Sequence, residues 1–557
     1  MLRTRTSHLL TPILVLALLA GPALATESVQ GVAVAIPQPP APSGLQLLLE
    51  QVASPTGTAH AVGPETLRQF YAHHGFAPVW NTPGRLQALV AQLLELEHDG
   101  LRPDDYGVQQ LMQWARDAVP LAECDDVLAS RAYLQAIAHL HHGRLDPERV
   151  EPLWRASTVA PRRSGPAPAL IAAAAADIDD LAGSFARARP SLPLYQALRS
   201  ALKTLDQRQD IQDWKPLPSG PSLRPGERSA RVPLLRARLA ETFAAQGVGD
   251  MPDSEVYDDA LVAAVIEFQS RHQLETDGIV GPATLAALNV SPAEQRDKLR
   301  INLERLRWLA AELQDHMVLV DVAGAMIRYY RDGTEQWQAR TQVGRANRPT
   351  PLLRSEITHF TLNPTWTVPP TILRNDKLPE IRRDPAYLAR NRMRVLDRNG
   401  RELDPDSIDW SSPGAIMLRQ DAGAGNALGR IAIRFPNPYS VYLHDTPSQR
   451  LFARDQRAFS SGCVRVENAT DLVDLLIADA GSVSPERFRE LLDSGRTRNL
   501  ELAHPVPILV AYWTAGVSEQ GTVFVQPDIY KRDPRLSQAL SSAPPVLPAS
   551  TTLTACR

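Results

Sequence analysis

Two residues in the C-terminal part of the chain have the types and spacing for nucleophilic catalysis. The segment VYLHDTPSQRLFARDQRAFSSGCVRVEN, residues 441–468, contains His444 and Cys463, which are 19 positions apart. A thiol held in a tight turn, with one imidazole available, suits Cys–His nucleophilic chemistry. Cys463 could instead be half of a disulfide, a metal ligand or a small buried side chain.

The residues around this pair predict how it is positioned. In SVYLHD, apolar Val441 and Leu443 alternate with Tyr442 and His444, so we expect a strand that ends with the imidazole on a polar face shared with Tyr442. The turn Ser-Ser-Gly-Cys follows, and Gly462 lets the backbone approach a ligand closely.

The N-terminus predicts export. Arg3 and Arg5 precede an apolar run over residues 9–19, and the small residues of Ala-Leu-Ala end at Ala25. This is the pattern of a signal peptide over residues 1–25, cleaved after Ala25, which predicts a periplasmic protein. An uncleaved inner-membrane anchor is the alternative.

The cysteine count limits how the thiols can pair, and the net charge bears on the class of partner. The chain of 557 residues has three cysteines, Cys124, Cys463 and Cys556, so at least one thiol is unpaired within a monomer. A disulfide between Cys463 and Cys124 stays open at this stage. The net charge is −3 without a basic stripe, so we expect no nucleic-acid partner.

Metal binding has little support in the sequence. Near Cys463 only Asp445 and Asp455 could add ligands, and the paired spacings typical of zinc sites are absent there. The histidines of HLHHG, residues 139–143, end a predicted helix without a carboxylate or cysteine partner. We therefore expect no metal and no cofactor.

Composition and periodicity predict a multidomain α+β protein. Apolar residues at helical spacing dominate up to about residue 214, and strand-like segments begin at Met317. The predicted parts are a signal peptide (1–25), a Pro-rich linker (26–44), a helical scaffold (45–220), a three-helix module (221–290), a connecting helix (291–316), a mainly β domain (317–535) with an insertion (373–428), and a disordered tail (536–557).

The three-helix module has a specific motif. The segment FQSRHQLETDGIVGPATLAALN resembles the peptidoglycan-binding domain family, and the resemblance covers residues 221–290. Gly281-Pro282 predicts the start of the third helix, because proline is favoured at the first helical position. The resemblance implies binding to the cell wall, and a purely structural helical bundle is the alternative.

The catalytic candidates lie in a second recognisable pattern. The histidine followed by S-x-G-C-x-R, with NPTWTVPPTI at residues 363–372, resembles the L,D-transpeptidase catalytic domain, also called the YkuD domain. The helical N-terminal part extends the resemblance to the large multidomain YcbB-like branch, over nearly the whole mature chain. Many members have S-H-G-C, whereas this chain has Ser461 at the second position.

The resemblance implies roles for five residues. Cys463 would attack the carbonyl of meso-diaminopimelate in a tetrapeptide stem, and His444 would act as the base and then protonate the leaving D-alanine. The family orients this histidine through a backbone carbonyl, here that of Asp445, so the Asp445 side chain should be dispensable. The backbone amides at Gly462 and Cys463, with the Tyr442 hydroxyl, are the candidate oxyanion donors.

Three further residues are candidates for substrate binding. The Arg465 guanidinium matches the geometry of a stem carboxylate, although it could also be a surface arginine. Ser461 lies in the motif itself. Trp366 could line the substrate-binding groove, or it could be a core aromatic. The insertion at 373–428 is either a lid over the site, as in the resembling branch, or a surface excursion.

The predicted function is that of a peptidoglycan L,D-transpeptidase that forms 3→3 cross-links through a cysteine thioester. Its expected partners are donor and acceptor tetrapeptide stems, β-lactams of the carbapenem type as inhibitors, and a peptidoglycan synthase. Two alternatives use the same residues differently. An exported cysteine amidase, endopeptidase or carboxypeptidase would transfer the acyl group to water, and a wall-binding scaffold would use no chemistry.

Overall fold

The computed structural model describes residues 43–51, 61–117, 119–151, 167–207, 214–243, 254–272, 274–384, 386–480, 483–518 and 521–547. The predicted signal peptide and all but the last two residues of the predicted Pro-rich linker lie outside these ranges. Within them, no helix is both long enough and apolar enough to cross a membrane.

The N-terminal part of the described chain is helical, as the apolar periodicity predicts. Nine helices form it: α1 Gly44–Gln51, α2 Pro64–His73, α3 Arg85–Glu95, α4 Val108–Asp117, α5 Glu123–His142, α6 Pro147–Val150, α7 Pro168–Ala176, α8 Leu181–Ala188 and α9 Pro193–Asp206, with 3₁₀ turns at Leu96–Asp99 and Pro103–Tyr106. Helix α5 is buried along most of its length, because the other helices pack around it. A helix with few exposed residues is typical of the centre of a large helical domain.

Three more helices form a separate small bundle. They are α10 Val232–Phe243, α11 Asp259–Arg271 and α12 Pro282–Leu288, and two isolated bridges, Leu223–Val280 and Arg228–Val256, close the bundle at its ends. Helix α12 begins at Pro282 directly after Gly281, as the sequence predicts. The bundle has its own apolar core, which includes Leu235, Val265 and Phe268.

Helix α13, Pro292–Ala310, joins the helical part to the sheet. It packs against α9, and its residues Leu303 and Leu306 share an apolar cluster with Met317 and Leu319 of the first strand. Its Arg307 is fully buried and pairs with Glu304 at 2.7 Å. The same guanidinium donates to the Asp99 carbonyl at 2.9 Å and to the Tyr195 hydroxyl at 3.1 Å, and these contacts attach the helix to the helical part.

Most strands form one closed sheet. They are β1 Met317–Asp321, β2 Met326–Arg331, β3 Thr334–Gly344, β4 Leu353–Leu362, β9 Ile431–Arg434, β10 Leu443–His444, β11 Ala458–Ser460, β12 Val464–Val466 and β13 Arg498–Ala511. Their order is β11-β3-β12-β10-β9-β4-β13-β1-β2, and β2 also pairs with β3, so the sheet closes on itself. Helices α17 Ala469–Ala480 and α18 Pro485–Asp493 complete its core.

A second, smaller sheet includes the predicted insertion, 373–428, but begins before it, at Trp366. Its strands are β5 Trp366–Thr367, β6 Met393–Leu396, β7 Glu402–Leu403 and β8 Met417–Gln420, in the order β5-β8-β6-β7. Short helical segments precede or interrupt it: α14 Pro370–Ile372, a π-helical turn Leu373–Lys377, α15 Leu378–Arg383, α16 Tyr387–Arg390 and a 3₁₀ turn Pro405–Ser407. We call residues 366–428 the cap. It has its own apolar core, in which Trp366, Ile381 and Leu418 are buried.

The C-terminal residues contradict the prediction of a disordered tail. A hairpin of β14 Ala515–Val517 and β15 Val523–Val525 precedes helix α19, Asp533–Ser542. Leu536 and Leu540 of this helix pack against Trp308 of α13, and the amides of Val546 and Leu547 bond to the Asp105 carbonyl. The segment is rich in Ser, Pro and Thr, so its composition did not indicate these apolar contacts. Residues 548–557 of the predicted tail lie outside the described ranges.

Candidate active site

Strand β10 determines which way the candidate residues face. Leu443 lies opposite Ile433 of β9 on one side and Val464 of β12 on the other, and all three side chains are buried in the core of the sheet. Successive side chains point to opposite faces of a strand. Tyr442 and His444 therefore lie on the other face, as the alternation in SVYLHD predicts.

The same face carries the thiol. Cys463 directly precedes Val464, and the Val464 amide bonds to the Tyr442 carbonyl at 3.1 Å. The register places Cys463 beside Tyr442 and places Arg465 beside His444. The parallel pairing of β10 with β12 thus brings together the histidine and cysteine that the sequence separates.

His444 is almost fully buried, with 4% of its surface exposed. Its Nδ1 lies 2.6 Å from the carbonyl oxygen of Asp445, which is the backbone contact that the resemblance implies. Because a carbonyl can only accept, Nδ1 carries the proton and Nε2 is left as the basic nitrogen. Burial, together with the positive charges of Arg465 and Arg434, lowers the His444 pKa to about 3.

Cys463 is a free, half-buried thiol, whereas Cys124 is disulfide-bonded. Cys463 and Cys124 therefore do not form a disulfide with each other. Burial raises the Cys463 pKa, while contacts with Tyr442 and the charges of Arg434 and Arg465 partly oppose that rise. With the pKa of the thiol raised and that of the imidazole lowered, the resting pair is a neutral thiol and a neutral imidazole.

The turn before Cys463 is held by internal hydrogen bonds. Gly462 has a φ of +120°, which favours glycine, and its amide donates to the Ser460 hydroxyl at 3.1 Å. The Ser460 hydroxyl donates in turn to the Cys463 carbonyl. The Gly462 amide is therefore already occupied, which contradicts its expected role as a free oxyanion donor.

Tyr442 remains a candidate oxyanion donor. Hydrogen bonding from its backbone and its side chain lowers the pKa of the Cys463 thiol, against the larger effect of burial. Burial is the main cause of the raised Tyr442 pKa, and the neighbouring thiol adds to it. The hydroxyl therefore stays protonated at neutral pH, which is the form that donates a hydrogen bond.

Arg465 lies beside His444 on β12, and its guanidinium is only partly satisfied by protein groups. One guanidinium nitrogen donates to the Gln342 side-chain carbonyl at 3.0 Å, and its Nε is buried without a partner. Burial lowers the Arg465 pKa, and the nearby charge of Arg345 lowers it further. Since it forms no ion pair with a described carboxylate, this guanidinium can accept one from a ligand.

The Ser461 side chain is hydrogen-bonded to other residues of the protein. Its hydroxyl oxygen accepts hydrogen bonds from Arg348 at 3.0 Å and from Arg345 at 3.4 Å, both in the loop between β3 and β4. Arg348 also pairs with Asp376 of the cap. In this structure, Ser461 therefore connects the catalytic turn to the cap through an arginine.

Trp366 lies in the core of the cap, with 8% of its surface exposed. The Lys377 ammonium is 5.5 Å from the centre of its ring. Tyr442 packs against the same apolar cluster. Trp366 is therefore a core aromatic of the cap, which is the alternative that the sequence left open.

The histidines of HLHHG have structural surroundings. His139 is fully buried; its Nδ1 contacts the Tyr106 hydroxyl at 2.8 Å and its Nε2 contacts Gln135 at 2.9 Å. A ring with both nitrogens satisfied is typical of a core histidine. Among the described residues, no group of three His, Cys, Asp or Glu side chains is arranged to hold a metal ion.

The catalytic candidates lie in a part of the chain that matches a known protein family. Residues 315–483, which include His444 and Cys463, match the family model described as "L,D-transpeptidase catalytic domain", YkuD. The chain contains a YkuD-type L,D-transpeptidase domain. The family and the α+β fold class predicted from the sequence are thereby confirmed.

Two other models match the chain outside the L,D-transpeptidase domain. Residues 65–202 match "Scaffold domain", and residues 228–288 match "Putative peptidoglycan binding domain". The second match coincides with the bundle of α10, α11 and α12. We call that bundle the peptidoglycan-binding module.

Individual relatives agree with the L,D-transpeptidase assignment. A Haemophilus influenzae protein named "Putative L,D-transpeptidase" is 35% identical over 245 residues, which is 43% of this chain. The match spans about half of that relative, 49% of its length.

Two solved structures are also similar to this chain. An L,D-transpeptidase from Mycobacterium smegmatis is 14% identical, with 35% of this chain and 58% of that one covered at a TM-score of 0.18. One from Xylanimonas cellulosilytica is 17% identical, with 53% and 99% covered at 0.15. With TM-scores this low, the assignment depends on the family models and not on these structures.

Sequence reasoning missed several residues of the L,D-transpeptidase site. Arg434 lies on the same face as Tyr442 and Cys463, and Thr350 and Arg348 hold the catalytic turn from the loop between β3 and β4. The alternation in IAIRFPN could have assigned Arg434 to a strand face. No local signal links Thr350 or Arg348 to a turn more than 100 residues away in the chain.

Proposed function

We propose that this protein is a peptidoglycan L,D-transpeptidase that forms 3→3 cross-links between diaminopimelate residues. One observation carries the proposal. A free thiol, Cys463, lies on one sheet face with His444, whose basic nitrogen is fixed by the Asp445 carbonyl. The family match supports the reaction class, and the specific cross-link is the proposal.

The first half-reaction acylates the thiol. The Cys463 sulfur forms a bond to the carbonyl carbon of diaminopimelate in a tetrapeptide stem, while His444 Nε2 accepts the thiol proton. The bond from that carbon to the D-alanine nitrogen then breaks, and His444 returns the proton to the leaving amine. The Tyr442 hydroxyl donates to the carbonyl oxygen as negative charge develops on it.

The second half-reaction releases the product. The side-chain amine of diaminopimelate in a second stem attacks the thioester and forms the new amide bond. The carbon–sulfur bond breaks, and the proton lost by the amine returns to the thiol through His444. Because the resting pair is neutral, the imidazole is ready to accept a proton without first losing one.

Mass spectrometry of products tests the reaction directly. We expect purified protein and a disaccharide-tetrapeptide to give a dimer that lacks one D-alanine. Cys463→Ala should give no product, and Cys124→Ala should retain turnover because Cys124 is bonded elsewhere. Formation of tripeptide alone would identify a hydrolase, and unchanged substrate would identify a noncatalytic wall-binding protein.

The proposal extends to inhibitors. A carbapenem has a strained carbonyl that resembles the attacked carbonyl of the stem, so it should acylate Cys463. The intact mass should rise by one drug equivalent, and Cys463→Ala should show no adduct. An adduct on the Cys463→Ala protein would place the reactive nucleophile elsewhere.

The proposal also extends to the setting of the reaction. We place the enzyme in the periplasm, where the predicted signal peptide would deliver it and where a peptidoglycan synthase would supply uncross-linked strands. The peptidoglycan-binding module would raise the local concentration of stems near the thiol. Fractionation of cells and pull-down on insoluble sacculi test these two points.

A further inference from the structure

Arg434 occupies a position beside the thiol that the proposed reaction does not yet use. In β9 it lies directly opposite Tyr442, because Leu443 pairs with Ile433. Its guanidinium carbon is 3.9 Å from the centre of the Tyr442 ring. Arg434, Tyr442 and Cys463 therefore form one row across three neighbouring strands on the active-site face.

Three positively charged arginines lie around the thiol without a negatively charged partner in the described part of the chain. Among the described residues, Arg434, Arg465 and Arg345 hydrogen-bond to uncharged groups, which are Thr361 at 3.4 Å, Gln342 at 3.0 Å and Ser461 at 3.4 Å, and Arg434 also stacks on the Tyr442 ring. None of the three forms an ion pair with a carboxylate in the described part of the chain. The positive charge of Arg465 and that of Arg434 both act on His444, which burial already disfavours in its charged form.

Two arginines near this face are paired, whereas others elsewhere, such as Arg457 and Arg419, also bond only to uncharged groups. Arg430, near the start of the same strand, lies 2.7 Å from Asp493, and Arg340 lies 2.5 Å from Glu467. Gathering like charges around a half-buried thiol is unfavourable unless an anion completes the site. Three unpaired guanidinium groups beside a half-buried thiol are therefore positioned to bind carboxylates supplied by a ligand.

Arg465 and Arg434 lie in different directions from the thiol. Arg465 is two residues along β12 from Cys463, roughly 7 Å between Cα atoms in a regular strand. Arg434 is two strands across the sheet, roughly 10 Å away at ordinary strand spacing. A ligand bound over the sulfur therefore meets one guanidinium along the strand and another across it.

We propose that Arg434 binds the side-chain carboxylate of the donor diaminopimelate, while Arg465 binds the carboxylate of the terminal D-alanine. This inference rests on the proposed function. Both carboxylates flank the attacked carbonyl of the donor, so the site selects an acyl donor with two negative charges. A donor with a neutral side-chain group would leave Arg434 unpaired beside the thiol.

Paired donors and paired variants test the proposal. The donors are a tetrapeptide with a free diaminopimelate side-chain carboxylate and the same peptide with that group amidated. The variants are Arg434→Gln and Arg434→Lys, with Arg430→Gln as a control on the same strand. The rate of acyl-enzyme formation is measured by mass spectrometry for each pair, with kcat and KM separated.

We expect the parent protein to prefer the free carboxylate by about 10- to 100-fold, the range for a charge-assisted hydrogen bond. Arg434→Gln should lose that preference, with the rate for the free carboxylate falling far more than the rate for the amidated donor. Arg434→Lys should keep part of the preference, and Arg430→Gln all of it. Equal loss for both donors in Arg434→Gln would reduce Arg434 to a support for the Tyr442 ring and overturn the proposal.

A binding measurement separates this proposal from the proposed function. The two peptides are titrated calorimetrically into the Cys463→Ser protein and into the Cys463→Ser, Arg434→Gln protein. A preference for the free carboxylate that Arg434→Gln removes supports the proposal even if no peptide is ever turned over. Equal binding of both peptides to the Cys463→Ser protein would overturn it, even if transpeptidation is observed.

Discussion

The hydroxyl group of Thr350 donates a 2.9 Å hydrogen bond to the carbonyl of Gly462, and it accepts another of 2.9 Å from the amide of Gly344. Thr350 is buried, so no water can replace these contacts. The Tyr530 hydroxyl bonds to the Thr350 amide and to the Gly344 carbonyl. One side chain from the loop between β3 and β4 therefore fixes the turn that presents Cys463.

Replacing Thr350 by valine tests this contact. The variant keeps the shape but leaves the Gly462 carbonyl and the Gly344 amide unpaired, so the free energy of unfolding should fall by about 1–3 kcal/mol. Cys463 acylation should slow by roughly 10- to 100-fold, because a displaced turn moves the sulfur away from its attack position. Urea unfolding and carbapenem acylation measure the two effects. Thr350→Ser should restore both, and a fully active valine variant would show that the bond does not position the thiol.

The pH dependence of alkylation tests the neutral resting pair. Burial raises the Cys463 pKa and lowers that of His444 to about 3, so thiolate is scarce at pH 7 and increases as the pH rises. The rate of iodoacetamide alkylation should therefore rise about tenfold per pH unit between pH 6 and pH 8. His444→Ala should keep this profile while losing turnover of stems. A plateau with a midpoint below pH 7 would instead indicate a thiolate–imidazolium pair.

Substitution of Asp445 separates its backbone from its side chain. The carbonyl accepts from His444, whereas the carboxylate accepts from the Arg430 amide at 2.9 Å. Asp445→Asn should keep the rate of the folded enzyme within about twofold, since the carbonyl is unchanged. Asp445→Ala should lower the free energy of unfolding by about 1 kcal/mol through the lost turn contact. A hundredfold loss of rate in a normally stable Asp445→Asn protein would give the carboxylate a catalytic role.

The ion pair between Arg348 and Asp376 is expected to control access under the cap. Asp376→Ala removes the carboxylate that joins the cap to the arginine holding Ser461. A partly exposed pair contributes about 1 kcal/mol or less, so iodoacetamide should reach Cys463 only a few-fold faster. KM for the stem should rise. Hydrogen exchange of residues 373–390 reports the loosening directly. Asp384→Ala, which breaks an exposed pair with Arg390 within the cap, is the matched control and should change neither the alkylation rate nor KM.

Local patterns were enough to predict much of this protein. The alternation in SVYLHD assigned Tyr442 and His444 to one face, and the glycine before Cys463 indicated a special turn, which has a φ of +120°. Helical periodicity identified the scaffold and the peptidoglycan-binding module. These features depend on residues a few positions apart, so each segment carries its own signal.

Tertiary structure alone decided which groups meet at the thiol. Arg434, Thr350 and Arg348 reach the site from separate strands and loops, and the cap core encloses Trp366. Strand pairing joins distant segments, and a slip of one residue would turn each side chain to the opposite face. The sequence by itself therefore determined the elements and the candidate nucleophile and base. The register of the closed sheet decided their surroundings, because pairing energy is shared among strands that no local pattern connects.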